Sequence, residues 1–423
     1  VTLKSLIASP ALERLLSPQR RLRHHERYEK KRQKRGRPAV IEYFHQSDDP
    51  YSHLMLQLLP RLQEQYAVEF KPWLVGPPPD WAAPERGMLV DWSRRDAASL
   101  ADHLGLAFAR HHEQPQAAAV KLANAALADA IDRGRFFEES PGISDALWRG
   151  RSLRSCPADG AQAAVDAGNA RRQAAGHYLG ATLFYGGEWY WGPDRLHYLE
   201  RRLQDAGLSR TRATGDLLIP AQSSPAPPGN AHGRELHFFL SFRSPYSYLA
   251  APRVFELARS SNASLKLRFV LPMVMRGLPV PRAKTMYIMT DVAREAARLG
   301  MPFGRIADPL GKPVERGYSL LPWARDEGRG EEYCLAFLRG VWSQGIDAGS
   351  DRGIRRIVES AGLPWARARA HLDTDTWRAE AEANRREMVS LGLWGVPSFR
   401  VGDTAVWGQD RLWQVEAALS DPQ

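Results

Sequence analysis

Ser244 and Ser247 bracket Pro245-Tyr246 at a point where the chain changes its period. Leu236-His237-Phe238-Phe239-Leu240 reads as a buried strand, and Tyr248-Leu249-Ala250-Ala251 opens a helical run. A helix start offers unpaired N–H groups and a positive dipole end, which together stabilise an anion. Ser244 could donate to such an anion, or it could cap its own helix. Its single proton serves one acceptor at a time. Two further places stand out. Val396-Pro397 lies in Gly395-Val396-Pro397-Ser398-Phe399, where the proline either begins a strand in trans or turns the chain in cis. Gln409-Asp410 lies in Trp407-Gly408-Gln409-Asp410-Arg411-Leu412, where an aspartate opening the last helix caps it well. Lys284 reads by itself as a solvated lysine.

The elements that must position these residues come in two sets. Tyr43 to Leu54 aligns with Phe238 to Leu249 through a shared Pro-Tyr-Ser-x-Leu core at an offset of 195 residues. Trp191-Gly192-Pro193-Asp194-Arg195-Leu196 aligns with Trp407 to Leu412 at an offset of 216. Two matches in the same order indicate two copies of one domain. Each copy reads as strand, helix, strand, then a long helical stretch (97–178 and 285–391), then two short strands and an amphipathic helix. That order is a thioredoxin fold interrupted by a helical insertion. The expected division is a basic arm over 1–38, a first domain over 39–213, a Pro/Gly/Ser-rich linker over 214–234 and a second domain over 235–423.

Composition bounds the rest. The 423 residues are 43% hydrophobic and 25% charged, as in globular proteins. No apolar run approaches the ~18 residues that span a bilayer. No secretory leader is recognisable, and Cys156 and Cys334 match no metal or Cys-x-x-Cys spacing. A cytoplasmic protein with two reduced cysteines is expected. Of the net charge of +10, the arm carries +9, from 12 Lys+Arg against 3 Asp+Glu. The arm could touch nucleic acid or anionic lipid, or it could pair with the protein's own acidic surface.

The second copy resembles the 2-hydroxychromene-2-carboxylate isomerases and kappa-class glutathione transferases, the DsbA-like branch of the thioredoxin superfamily. Ser244-Pro245-Tyr246-Ser247, Gly395 to Phe399 and Trp407 to Leu412 carry the resemblance, together with Lys284, Tyr287, Asp291, Arg294 and Gly300-Met301-Pro302-Phe303. It implies an α/β chain of two tandem DsbA-like domains, the first degenerate. It implies glutathione as cofactor, with Ser244 donating to the glutathione sulfur and Pro397 in cis. Val396 would pair strand-like with the backbone of glutathione's cysteine. Gln409 and Asp410 would sit at the γ-glutamyl ammonium, and Lys284 near the glycine carboxylate. Where the family has a Gly-Asn pair, this chain reads Met275-Arg276-Gly277-Leu278-Pro279.

The first copy departs further. Asp49 stands in Ser244's place, and aligning Gly180–Phe184 with Gly395–Phe399 sets Thr182 against Pro397. A structural copy, standing in for a partner subunit in a monomeric chain, is expected. The function implied is a glutathione-dependent isomerase or transferase acting on a conjugated, aromatic electrophile, with Met273, Met275, Met286, Tyr287 and Met289 as pocket or core. The alternative is a non-catalytic binding or scaffold protein. A dithiol–disulfide oxidoreductase is disfavoured because both motif positions carry serine.

Overall fold

The computed structural model describes residues 3–108, 113–154, 156, 160–210, 217–221, 229–278 and 280–420. Part of the expected linker (214–216 and 222–228) and Pro279 lie outside them. The chain forms two compact units, one of 22–221 with 281–287, the other of 1–21, 222–280 and 288–423.

The helix α1 (Leu3–Leu16) groups with the second of these units. From Leu22 onward α2 (Pro18–Lys34) belongs to the first. The 1–38 stretch is therefore two helices shared between the units. The reason lies on the inner face of α2. His25 bonds Glu188 at 2.7 Å, buried Glu29 accepts the Tyr185 hydroxyl at 2.6 Å, and the Tyr28 and Tyr185 rings meet edge to face.

The rest of the first unit runs β1 (Val40–His45), α3 (Pro50–Gln65), β2 (Glu69–Leu74), α4 (Arg86–Leu104), α5 (Ala117–Asp132), α6 (Phe136–Trp148), α7 (Ala161–Ala174), β3 (Thr182–Tyr185), β4 (Glu188–Trp191) and α8 (Leu196–Asp205). Its sheet order is β2-β1-β3-β4, with β1 and β2 parallel and the other pairs antiparallel. β1 lies between β2 and β3, so both of its edges are paired, and four of its six residues are buried. Gly186 and Gly187, both at positive φ, close the β3–β4 hairpin in the two-residue turn that strand twist favours. The core gathers Ile41, Tyr43, Leu54, Leu58, Leu183, Leu199 and Leu203 under α3 and α8.

The second unit repeats the plan with β5 (Glu235–Leu240), α9 (Pro245–Ser260), β6 (Ser264–Phe269), the helical insertion α10 (Arg282–Arg298), α11 (Lys312–Asp326), α12 (Gly330–Ser343), α13 (Asp351–Ser360), α14 (Trp365–Ala368) and α15 (Trp377–Ser390), and then β7 (Ser398–Val401), β8 (Thr404–Trp407) and α16 (Leu412–Ser420). Its sheet order is β6-β5-β7-β8 with the same directions. The first part of α10, to Tyr287, groups with the other unit. Phe238, Phe239, Leu249, Val254, Phe255 and Phe399 are fully buried around β5 and α9.

Strand pairing fixes which residues correspond. Tyr43 faces Leu183 as Phe238 faces Phe399, so the 216-residue offset already holds on β3 and β7. Ala181, not Thr182, takes the place of Pro397. Both carbonyls accept from the glycine of the next turn at 2.9 Å, Gly192 to Ala181 and Gly408 to Pro397. The alignment through Gly180 and Gly395 is one residue out because those two glycines are not equivalent. Ala181 keeps a trans bond and reaches the turn through a left-handed φ of 51°.

One polar pair recurs inside both units at the 195-residue offset. The Tyr51 hydroxyl donates to buried Asp96 at 2.6 Å, and the Tyr246 hydroxyl donates to buried Asp291 at 2.7 Å. Each ties the start of the helix after the central strand to the first insertion helix. Tyr51→Phe and Tyr246→Phe should therefore each cost about 1–3 kcal/mol. Urea unfolding of the two variants measures this, and a change below about 0.3 kcal/mol in both would contradict the pairing as a stabilising feature.

Candidate active site at the start of helix α9

Ser244 is half-buried at the N-cap of α9, with φ −95° and ψ 112°, and Pro245 follows at the first helical position. Pro there forfeits only an N–H that has no intrahelical partner. The Ser244 hydroxyl accepts from Ser247 N–H at 3.1 Å and donates to the Val396 carbonyl at 3.3 Å. This serine therefore caps its helix and spends its proton on the Val396-Pro397 loop. The second motif serine does different work. Ser247 is fully buried, and its oxygen accepts the Ser241 N–H at 3.3 Å.

The Val396–Pro397 bond is cis, one of the two forms its motif leaves open. Gly395 is glycine for a steric reason. A Cβ there would lie 2.6 Å from the Trp407 indole, which packs beneath the loop and against Trp394. The loop and the turn after β8 are thus fitted to one another, and Trp407 is a packing residue.

Gln409 and Asp410 lie in a single 3-10 turn, Gln409–Arg411, which leads into α16. Gln409 is buried, and its amide is held at both ends. Arg253 donates to its side-chain oxygen and to its backbone carbonyl, while its nitrogen donates to Asp410 and, at 3.1 Å, to Glu295. Glu295 also accepts from Arg298 at 2.9 Å. Burial pushes the Arg253 guanidinium down to about 10, with Asp410 and Glu295 opposing the shift. Sequence reasoning missed Arg253, Glu295 and Arg298. The available signal was a lone arginine in the apolar run from Tyr248 to Phe255.

Residues 235–420 match the sequence profile of the DSBA-like thioredoxin domain. The C-terminal half is a DsbA-like thioredoxin domain. The 2-hydroxychromene-2-carboxylate isomerase of Sphingobium xenophagum is 26% identical to it over 198 residues, 44% of this chain and 99% of that protein. A protein of the same name from Pseudomonas putida is 22% identical over 190 residues, 43% of this chain and 92% of that one. A solved 2-hydroxychromene-2-carboxylate isomerase is similar with a TM-score of 0.39 and 22% identity, over 44% of this chain and 94% of its own.

In the DsbA-like domain the structure brings together Ser244, Val396 and Pro397 on one side and Gln409 with Asp410 on the other, the turn's Gly408 N–H bonding the Pro397 carbonyl. Lys284 is not among them. It groups with the first unit, where its half-buried ammonium donates to the Ala82 carbonyl at 3.0 Å and desolvation lowers its pKa. Met275 and Arg276 form a 3-10 turn, Met273–Arg276. Neither cysteine forms a disulfide; buried Cys334 has its thiol pKa pushed up by burial.

The first unit builds the same junction with other chemistry. Asp49 caps α3, accepting from Tyr51 N–H, Ser52 N–H and the Ser52 hydroxyl. Burial raises its carboxyl to about 7, outweighing these hydrogen bonds. At the 195-residue offset Arg253 corresponds to Leu58 and Glu295 to Leu100, both buried. The fold therefore forms with leucines where the second unit buries charges. Buried ion networks are often no more stabilising than such replacements, so the Arg253–Gln409–Glu295 set is read here as holding the Asp410 turn.

Two outcomes follow from this geometry. Arg253→Met strands the Gln409 oxygen and should destabilise the domain by about 1–3 kcal/mol; unfolding indistinguishable from the parent would contradict the assignment. Because the folded state raises the Asp49 pKa, that group's contribution is fully present below about pH 4 and is lost as pH rises through about 7. Asp49→Asn should then show a shallower fall in stability between those pH values than the parent, measured by denaturant titration at each pH. An unchanged slope would argue against a raised Asp49 pKa.

Proposed function

We propose that the DsbA-like domain binds glutathione and is a glutathione-dependent isomerase or transferase acting on a conjugated, aromatic electrophile. One observation carries the reading: the Ser244 hydroxyl sits at a helix N-terminus and within 3.3 Å of the carbonyl that precedes the cis-proline. A hydroxyl donor, a positive helix end and an extended backbone edge thus converge. The donor set fits glutathione: a hydroxyl and dipole for its sulfur, a backbone edge for its cysteine, and the Asp410 carboxylate for its ammonium. The relatives named as isomerases support the same class of activity.

When bound, glutathione supplies a thiolate, at once nucleophile and leaving group, to a conjugated carbon. The chain's part is to make that thiolate available near neutral pH. Ser244 exchanges its bond to Val396 for one to the sulfur, while its lone pair keeps the Ser247 N–H. The α9 dipole adds to the effect, and both lower the thiol pKa. Val396 pairs with the ligand backbone and fixes its register. Arg253 and Gln409 hold Asp410 against the ammonium. Lys284, bonded to Ala82, is left out of the proposed site.

Calorimetry with glutathione tests the reading. The parent should bind saturably, and Asp410→Ala should weaken binding by roughly tenfold to a hundredfold, the range of a charge-assisted hydrogen bond of about 1.5–3 kcal/mol. Absence of binding at millimolar glutathione would overturn it.

A further inference from the structure

The docking of α2 fixes which of its faces looks outward. His25, Tyr28, Glu29 and Arg32 lie on the inner side, bonded or packed within the first unit or paired along the helix. At 3.6 residues per turn the opposite side carries Arg23, Arg27, Lys30 and Lys34, spaced by four, three and four, with Lys31 beside them. All five are exposed. Among the described ion pairs, none engages Arg27, Lys30, Lys31 or Lys34, and Glu26 is the one acidic residue exposed on this helix. Lys31 and Lys34 in the last turn complement the helix dipole, but like charges three and four residues apart along the row repel one another. Of the net charge of +10, this helix alone carries +6, from 8 Lys+Arg against 2 Asp+Glu, so the positive potential is strongest here rather than spread evenly over the protein.

We propose that the outer face of α2 binds the phosphate backbone of a nucleic acid without regard to sequence. The row runs along about 16 Å of helix axis, a length over which duplex DNA presents roughly ten phosphate charges. A membrane surface is the poorer match. Between Arg23 and Lys34 the outer side carries no aromatic or aliphatic residue that could enter the acyl boundary, and Tyr28 is turned inward onto Tyr185. The interaction is one of counterion release, so it falls steeply with salt. The residues of the DsbA-like domain's site take no part in it.

Fluorescence anisotropy of the full chain with a short duplex DNA, repeated across salt concentrations, tests the proposal. The comparison is between the parent, a variant with Arg27, Lys30, Lys31 and Lys34 changed to Gln, and a control with Lys312, Arg352, Arg356 and Arg369 changed to Gln, exposed residues of the other unit. Both variants lose the same charge. Each phosphate contact contributes about 0.9 to the slope of log affinity on log salt. The stripe variant should therefore lose about three to four from that slope and roughly a hundredfold in affinity at low salt, while the control stays within a few-fold of the parent. Equal losses in the two variants would reduce the effect to net charge and overturn the proposal. So would a parent that binds phosphatidylserine vesicles through the same four residues but not DNA. Circular dichroism of the stripe variant should retain the parent's helix content, which separates lost binding from lost folding.

Discussion

The structure depends on a single turn made twice, where the central strand of each sheet passes into the following helix. A capping side chain closes the helix, a proline starts it, and a buried serine three residues on pins the loop before it. In the first unit Ser52 accepts from Gln46 and Ala181 N–H while donating to Asp49. In the second, Ser247 accepts from Ser241. The Ser52–Ala181 bond in the first unit and the Ser244–Val396 bond in the second hold the helix start against the loop before the third strand, so the geometry at the cap is tied to the packing of the sheet, while the cap and the residue at 181 or 397 are free to vary.

That freedom separates scaffold from chemistry. The tyrosine–aspartate pair, the glycine N–H bond to the 181 and 397 carbonyls and the buried motif serine are common to both units. The cap, the proline and the charges around Gln409 are not. With Asp49 the first unit offers a carboxylate whose oxygens are turned to its own helix. With Ser244 the second offers a hydroxyl that can change acceptors at little cost. The leucines at 58 and 100 show that the buried charges of the second unit are dispensable for making a helix pack on a sheet. They are better understood through what they hold in place, the turn bearing Asp410.

Much of this was legible in the sequence because it is written in local signals. The Pro-Tyr-Ser repeat marks the junctions and the two offsets mark the duplicated order of strands and helices, while Val-Pro before a strand leaves cis and trans open and only the family resemblance implies the cis bond. What escaped was whatever depends on contacts across long loops. Arg253 meets Gln409 across 156 residues, and no local pattern joins them. Aligning Gly180 with Gly395 sets Thr182 against Pro397, whereas strand register decides the pairing and selects Ala181. The family resemblance sets Lys284 near the glycine carboxylate, whereas its helix begins in the other unit, where its ammonium donates to the Ala82 carbonyl. The basic stretch near the N-terminus is visible as composition; that one side of its helix docks through His25, Tyr28 and Glu29 depends on long-range contacts such as the Tyr185–Glu29 bond.

The account's central claim is that Ser244 lowers the pKa of a thiol held at the start of α9. Thiolate absorbance of glutathione bound to the protein, followed as a function of pH in the parent and in Ser244→Ala, tests it most directly. The account predicts that the bound thiol ionises below the ordinary cysteine range of about 8.5 in the parent and moves back up by roughly one unit or more in the variant, which still binds. A bound thiol that ionises at the same pH with and without the Ser244 hydroxyl would contradict it.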